Sequence, residues 1–163
     1  MEIRDARDGD LEAILAIYND AVVNTTAIWN ETLVDLENRR AWLAARQEAG
    51  FPVLVAADGA EVFGYASFGT FRPIDGFHPT VEHSIYIRPE SRGRGIGGPL
   101  LEALVARAEA LGKHVMVAAI DAGNDGSIRF HARNGFVEVG RMPEVGIKFG
   151  RRLDLVLLQR RLG

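Results

Sequence analysis

Leu11, Ile14, Leu15, Tyr18 and Val22 recur at the spacing of one helix face, so they predict an amphipathic helix that Asp8 or Asp10 can cap. The pattern breaks at NTTAIWNET. A second helix follows, opened by Thr32 or Asp35 and closed by Gly50. PVLVAA and VFGYASFGTF read as two strands joined by the turn letters DGAE, a hairpin, and after the loop RPIDGFHPT comes the strand VEHSIYI. Leu100, Leu104, Ala108 and Leu111 then lie along one stripe, with Pro99 suited to the first turn of that helix and Gly112 to its end. HVMVAAI reads as a buried strand, residues 127–134 as a short helix ending at Gly135, and LDLVLL as the last strand. Helices alternate with strands around one early hairpin, which makes the class α/β with a mixed sheet. No linker, repeat or low-complexity tract interrupts residues 1–163, so a single domain is expected.

Composition narrows the partners more than the fold. A chain of 163 residues with 47% apolar and 25% charged positions can bury a sizeable core. With 19 Lys+Arg against 22 Asp+Glu the net charge is −3, and nothing argues for nucleic acid. Cysteine is absent, which removes disulfides, thiolate metal sites and cysteine nucleophiles. The opening MEIRDARDGD holds no apolar signal stretch, and runs such as VMVAAI are far too short to span a bilayer. A cytoplasmic protein that binds no membrane is the expectation.

The stretch RPESRGRGIGGPLL carries two overlapping pyrophosphate patterns. Gly93, Gly95 and Gly98 spell G-x-G-x-x-G, the dinucleotide fingerprint, and Asp121 lies 121 − 98 = 23 residues further on, where a ribose contact belongs. Arg92, Gly95 and Gly97 spell R-x-x-G-x-G. The first pattern fails on its surroundings. RPESR separates Ile87 from Gly93, where the turn must follow the strand directly, and only 163 − 98 = 65 residues remain for the rest of a doubly wound sheet. Arg92 and Arg94 also add two guanidinium groups, suited to more phosphate charge than a dinucleotide carries.

IRPESRGRGIGGPLL followed by NDGSIRFHARNGF resembles motifs A and B of the GNAT superfamily of N-acetyltransferases. A narrower resemblance is carried by NDAVVNTTAIWNE, TVEHSIYIRP, HVMVAAI and VGIKFGRRLDL, which look like the phosphinothricin and methionine sulfoximine/sulfone N-acetyltransferases. The resemblance implies a GNAT fold, a mixed and mostly antiparallel sheet flanked by helices. It also implies acetyl-CoA as co-substrate, no metal, a small amino acid or analogue as acceptor, and a homodimer. The rivals are acetylation of a protein N-terminus or polyamine, and a non-catalytic acyl-CoA sensor.

By the same resemblance the amides of Arg92, Gly93, Arg94, Gly95, Ile96 and Gly97 hold the pyrophosphate, with glycines where a Cβ would block approach. Ile85, Tyr86, Ile87, Asn124 and Ser127 are expected along the cofactor's arm, with a backbone N–H near Tyr86 or Ile87, exposed by a bulge, for the oxyanion. Glu82 is the candidate general base; otherwise it is a strand carboxylate facing solvent or an arginine. His131 stands where the superfamily commonly has Tyr, and either donates a hydrogen bond to the leaving sulfur or only packs on the cofactor. Arg72 offers a fork for a substrate carboxylate, with Phe71, Pro73 and Val81 around it. Phe71 and Arg152 occupy positions where relatives often have Trp. Trp29 either closes the side-chain pocket or belongs to the core. Lys148 and Phe149 are expected near the partner's site. His78, His83 and His114 have no metal-ligand spacing, though His83 can line the pocket beside Glu82.

Overall fold

The computed structural model describes residues 1–163. Seven strands form one sheet in the order β1-β2-β3-β4-β5-β7-β6. They are β1 (Glu2–Asp5), β2 (Val53–Asp58), β3 (Glu61–Thr70), β4 (Thr80–Ile87), β5 (Val115–Asp121), β6 (Val137–Lys148) and β7 (Arg151–Arg161). Every neighbouring pair is antiparallel except β4 and β5, as a mixed, mostly antiparallel sheet requires. The four helices are α1 (Leu11–Asn24), α2 (Leu36–Glu48), α3 (Gly97–Ala110) and α4 (Asp125–Arg133).

Each face of the sheet has its own core. Leu11, Ile14 and Ile17 of α1 and Leu43 of α2 bury against Val53, Val55 and Tyr65. Leu100, Leu101, Leu104, Val105 and Ala108 of α3 bury against Phe68, Met116, Ala118 and Leu158 on the other side. The helix between two parallel strands must cross over the sheet, and α3 does so between β4 and β5.

Several local expectations change in three dimensions. Asp10 sits at the start of α1 but does not cap it. Its carboxylate takes Arg4 at 2.7 and 3.0 Å and the amide of Arg7 at 2.7 Å. Asp35 does cap α2, accepting from the Asn38 amide at 2.8 Å. Leu111 falls just past α3 and stays 49% exposed, because the buried stripe ends three residues earlier at Ala108. The short helix starts at Asp125, two residues early, with the Asn124 side chain accepting from the Ser127 amide at 3.1 Å. β1 and β6 have no counterpart in the sequence reading. No bulge interrupts β4, whose register with β3 runs unbroken from Thr70↔Val81 to Gly64↔Ile87. The irregularity lies one seam away, at Ala56/Ala57 between β2 and β3.

Candidate active site

The opening in the sheet comes from a strand pair that separates. β4 and β5 pair only at Thr80↔Val115, Val81↔Met116 and Glu82↔Val117. Beyond Glu82, β4 stays with β3 through Ile87 while β5 stays with β7 through Asp121, so a wedge opens between them. Arg88 donates its amide to Phe63 O at 2.8 Å. Antiparallel ladders alternate, so Tyr86 and Ser84 also turn their backbone to β3, while Ile85 and Ile87 turn theirs into the wedge. The backbone exposure expected of a bulge is thus produced by divergence. Ile87 O takes Arg92 Nε instead of a strand partner, and an extended amide-bearing ligand would suit the rest of this half-buried edge.

The glycine loop follows β4, past the wide end of the wedge. Gly93 and Gly95 both have φ +75, and a Cβ at either would meet nothing within 4 Å, so the loop faces open space. α3 begins directly after it, with no acidic residue in its first turn. Its free amides and positive end make an anion site. A Cβ on Gly97 would come within 3.0 Å of the Phe130 ring, so glycine there lets α4 pack close beside the loop. Arg92 donates Nε to Ile87 O at 3.2 Å and reaches Asp20 of α1 at 3.4 Å, while Arg88 and Arg94 lie 5.3 and 5.5 Å from the Phe63 ring. Open glycines, bare helix amides and unpaired strand backbone are the partners that the pyrophosphate and amide arm of a coenzyme A need.

A cavity of about 300 Å³ fills the wedge. Glu82, His83, Ile85, Tyr86, Asn124, Ser127 and His131 all line it. Ser84 and two apolar roof residues, Ala27 and Ile28, which the sequence reading missed, line it as well, as does Asp121, weighed there only as a ribose contact. Asp121 has no free carboxylate for a ribose, because Thr26 Oγ1 and the Gly123 amide donate to it. Glu82 is half-buried. Burial pushes its carboxyl above the usual carboxylate range, and the positive charge of Arg72 offsets part of that rise.

The two histidines occupy each other. His131 Nδ1 lies 2.7 Å from Ser127 O, a contact that requires the Nδ1 proton. Its Nε2 is therefore the acceptor for His83 Nε2, 3.1 Å away, and His83 Nδ1 is left buried without a partner. Burial lowers both imidazoles below their usual value, His83 to about 3, so the pair is neutral at physiological pH. In this state His131 has no ring proton free to point into the cavity.

The remaining expected residues lie around the cavity. Arg72 is exposed, donates to Phe71 O at 2.9 Å, and shares with Pro73 and Val81 a neighbouring depression. Phe71 packs edge-on against Phe77 at 5.6 Å. Trp29 turns away from the cavity, its Nε1 on Thr26 O at 3.1 Å and its ring against Gly146. Lys148 is fully buried, donating to the carbonyls of Thr25 and Ile28. Phe149 has φ 52 and an amide 3.3 Å from Glu31.

Known proteins resemble this chain in sequence and fold. A model described as the Acetyltransferase (GNAT) family matches residues 14–136. The chain is 62% identical over 158 residues to an L-methionine sulfoximine/L-methionine sulfone acetyltransferase of Pseudomonas paraeruginosa, covering 96% of this chain and 92% of that protein. It superposes with a TM-score of 0.97 on a ribosomal-protein-alanine N-acetyltransferase from Brucella melitensis, at 54% identity over 99% of this chain and 100% of the other. A putative acetyltransferase of Salmonella typhimurium, solved with its cofactor acetyl-CoA, gives the same TM-score of 0.97 at 52% identity, over 100% and 94% of the two chains.

Proposed function

Because this chain belongs to the acetyltransferase (GNAT) family, we propose that it passes acetyl from acetyl-CoA to the α-amine of a small amino acid or analogue, of the methionine sulfoximine, methionine sulfone or phosphinothricin type. The observation that carries the reading is the wedge itself. Its cavity joins diverging strand backbone to a half-buried carboxylate, and the glycine loop follows the same strand.

The chemistry follows from these groups. Ile85, Ile87, Asn124 and Ser127 would hold the pantetheine arm, whose amides would pair where β5 leaves off. Glu82 takes the proton from the acceptor's ammonium, directly or through water, and the free amine attacks the thioester carbonyl. A backbone N–H of the β4 edge holds the developing oxyanion. Transfer is direct in a ternary complex, since the chain has no cysteine to carry the acetyl group. As the C–S bond breaks, the second proton shed by the nitrogen passes through water to the departing thiolate; the neutral His83–His131 pair forms part of the cavity wall and has no free ring proton to give.

The Brucella relative's name favours a second acceptor, a protein N-terminus. The roof of Ala27 and Ile28 over a volume of about 300 Å³ argues for the smaller acceptor. A panel of amines with acetyl-CoA, read as free CoA, separates the two. Methionine sulfone or sulfoximine should release CoA well above an alanine-starting peptide or a polyamine. Turnover on the peptide alone overturns the small-acceptor reading, and binding of acetyl-CoA with no release from any amine leaves the sensor.

The chain has no helix long and apolar enough to cross a membrane, and a cysteine-free protein using acetyl-CoA suits the cytoplasm. Its assembly is proposed from β6, an edge strand whose Val137, Val139, Val145 and Ile147 are each 47–61% exposed. An unpaired edge with an apolar stripe calls for a covering surface, here a second copy of the chain. Solution mass at micromolar concentration should be that of a dimer; a fully active monomer removes the proposal.

A further inference from the structure

Residues 25–35, between α1 and α2, have no helix or strand of their own, yet they supply the cavity's roof. Such a connection keeps one shape only if something outside it supplies partners for its backbone. We propose that Lys148 is a positioning residue for the acceptor: its ammonium pins this loop and thereby sets Ala27 and Ile28 over the bound amine. The proposal rests on reading the cavity as the acceptor site.

Lys148 ends β6 and does not itself line the cavity. Its Nζ lies 2.6 Å from Thr25 O and also donates to Ile28 O. Thr25 closes α1, so the ammonium stands at the negative end of that helix. No surface lysine is involved, for the residue is 0% exposed. Burial lowers its pKa, and Glu31 on the same loop opposes the change. A cation without an ion pair is buried at a cost unless it is well hydrogen-bonded. Here two carbonyls three residues apart supply that bonding, and a shorter or uncharged side chain would leave both unpaired.

Other ties fix the direction in which the pinned loop faces. Thr26 Oγ1 bonds Asp121 at the end of β5, beside the cavity. The Trp29 ring lies so close to Gly146 that a Cβ there would come within 2.2 Å of it. Between these two anchors, Ala27 and Ile28 line the cavity. An apolar roof so placed suits an acceptor whose side chain is uncharged where it meets the loop.

The test uses full-length protein and two variants, Lys148→Met and Gly146→Ala. The second pushes Trp29 off its seat without touching the buried charge. Each should raise KM for the acceptor about tenfold while leaving kcat and the KM for acetyl-CoA near wild type, the pattern of lost acceptor binding. The chain has two tryptophans, so a Trp42→Phe background isolates Trp29, and acrylamide quenching of its emission should increase in both variants. Cooperatively melting variants with unchanged acceptor KM and unchanged quenching overturn the proposal. So does an equal loss in every kinetic constant together with a fall in Tm, which marks a merely structural lysine. If Lys148→Met does not melt cooperatively, Gly146→Ala decides by the same criteria. A wild type that acetylates no amine defeats the acceptor-site reading instead, and the quenching then still decides whether Lys148 holds the loop.

Discussion

Glu82→Gln lowers turnover by roughly 10²–10⁴-fold, the usual worth of a positioned general base, and leaves acetyl-CoA affinity nearly intact. The acceptor amine arrives protonated at neutral pH and cannot attack until it loses that proton. Glu82 must be ionised to receive it, so activity rises with pH through the carboxyl's raised value. Arg72 holds that value down, so Arg72→Ala should move the acid limb of the profile to higher pH. Stability runs the other way. A carboxyl raised in the folded state stabilises fully below its unfolded value, about 4.3, and that contribution is lost as pH climbs through the folded value. Gln cannot ionise, so Glu82→Gln should melt higher than wild type at pH 7 and converge with it below about pH 4. Wild-type turnover with an unchanged pH profile removes Glu82 from the mechanism.

For Arg72, the expected loss in kcat/KM on Arg72→Ala is about 2 kcal/mol, roughly thirtyfold, with an amino-acid acceptor. The low end of the usual range, about 2–5 kcal/mol, applies because the guanidinium is exposed until a substrate covers it, and Phe71 O already holds one of its nitrogens. Wild type should lose the same factor when the acceptor lacks its carboxylate. In Arg72→Ala, deleting the carboxylate should cost little more, since both changes remove one interaction. Additive penalties show that Arg72 does not read the carboxylate and move the peptide or polyamine acceptor ahead. The structure places Arg72 beside the cavity, close enough to act on Glu82 by charge, so its reach on binding is what the cycle measures.

The helices and central strands were legible because local spacing decides them. α1 and α3 carry their apolar stripes in the letters, and the β2–β3 hairpin its turn. β6 was not legible, since Gly140, Pro143 and Gly146 interrupt its pattern and most of its side chains face solvent. Its strand state comes from pairing with β7. Asp10 was misread as a cap because Arg4, a contact made only after β1 folds back, outcompetes the local amides. Among the site residues, Glu82, His131 and the glycine loop stand in motif letters that the chain shares with a family. Ala27 and Ile28 carry no chemistry of their own and reach the cavity through the fold alone. Lys148 looks like any surface lysine until Thr25 and Ile28 are brought to it.

The parting of β4 from β5 has a mechanical consequence. Three residue pairs join the β1–β4 half of the sheet to the β5–β7 half, and the α3 core bridges the rest. Hydrogen exchange should therefore show two blocks of amides that open separately, with the slowest protons in β3 and β5 and the fastest strand protons at Ile85 and Ile87. A coenzyme whose amides complete the missing rungs would act as a splint across this seam. Its binding should slow exchange on both flanking strands together, and the two blocks should then open as one.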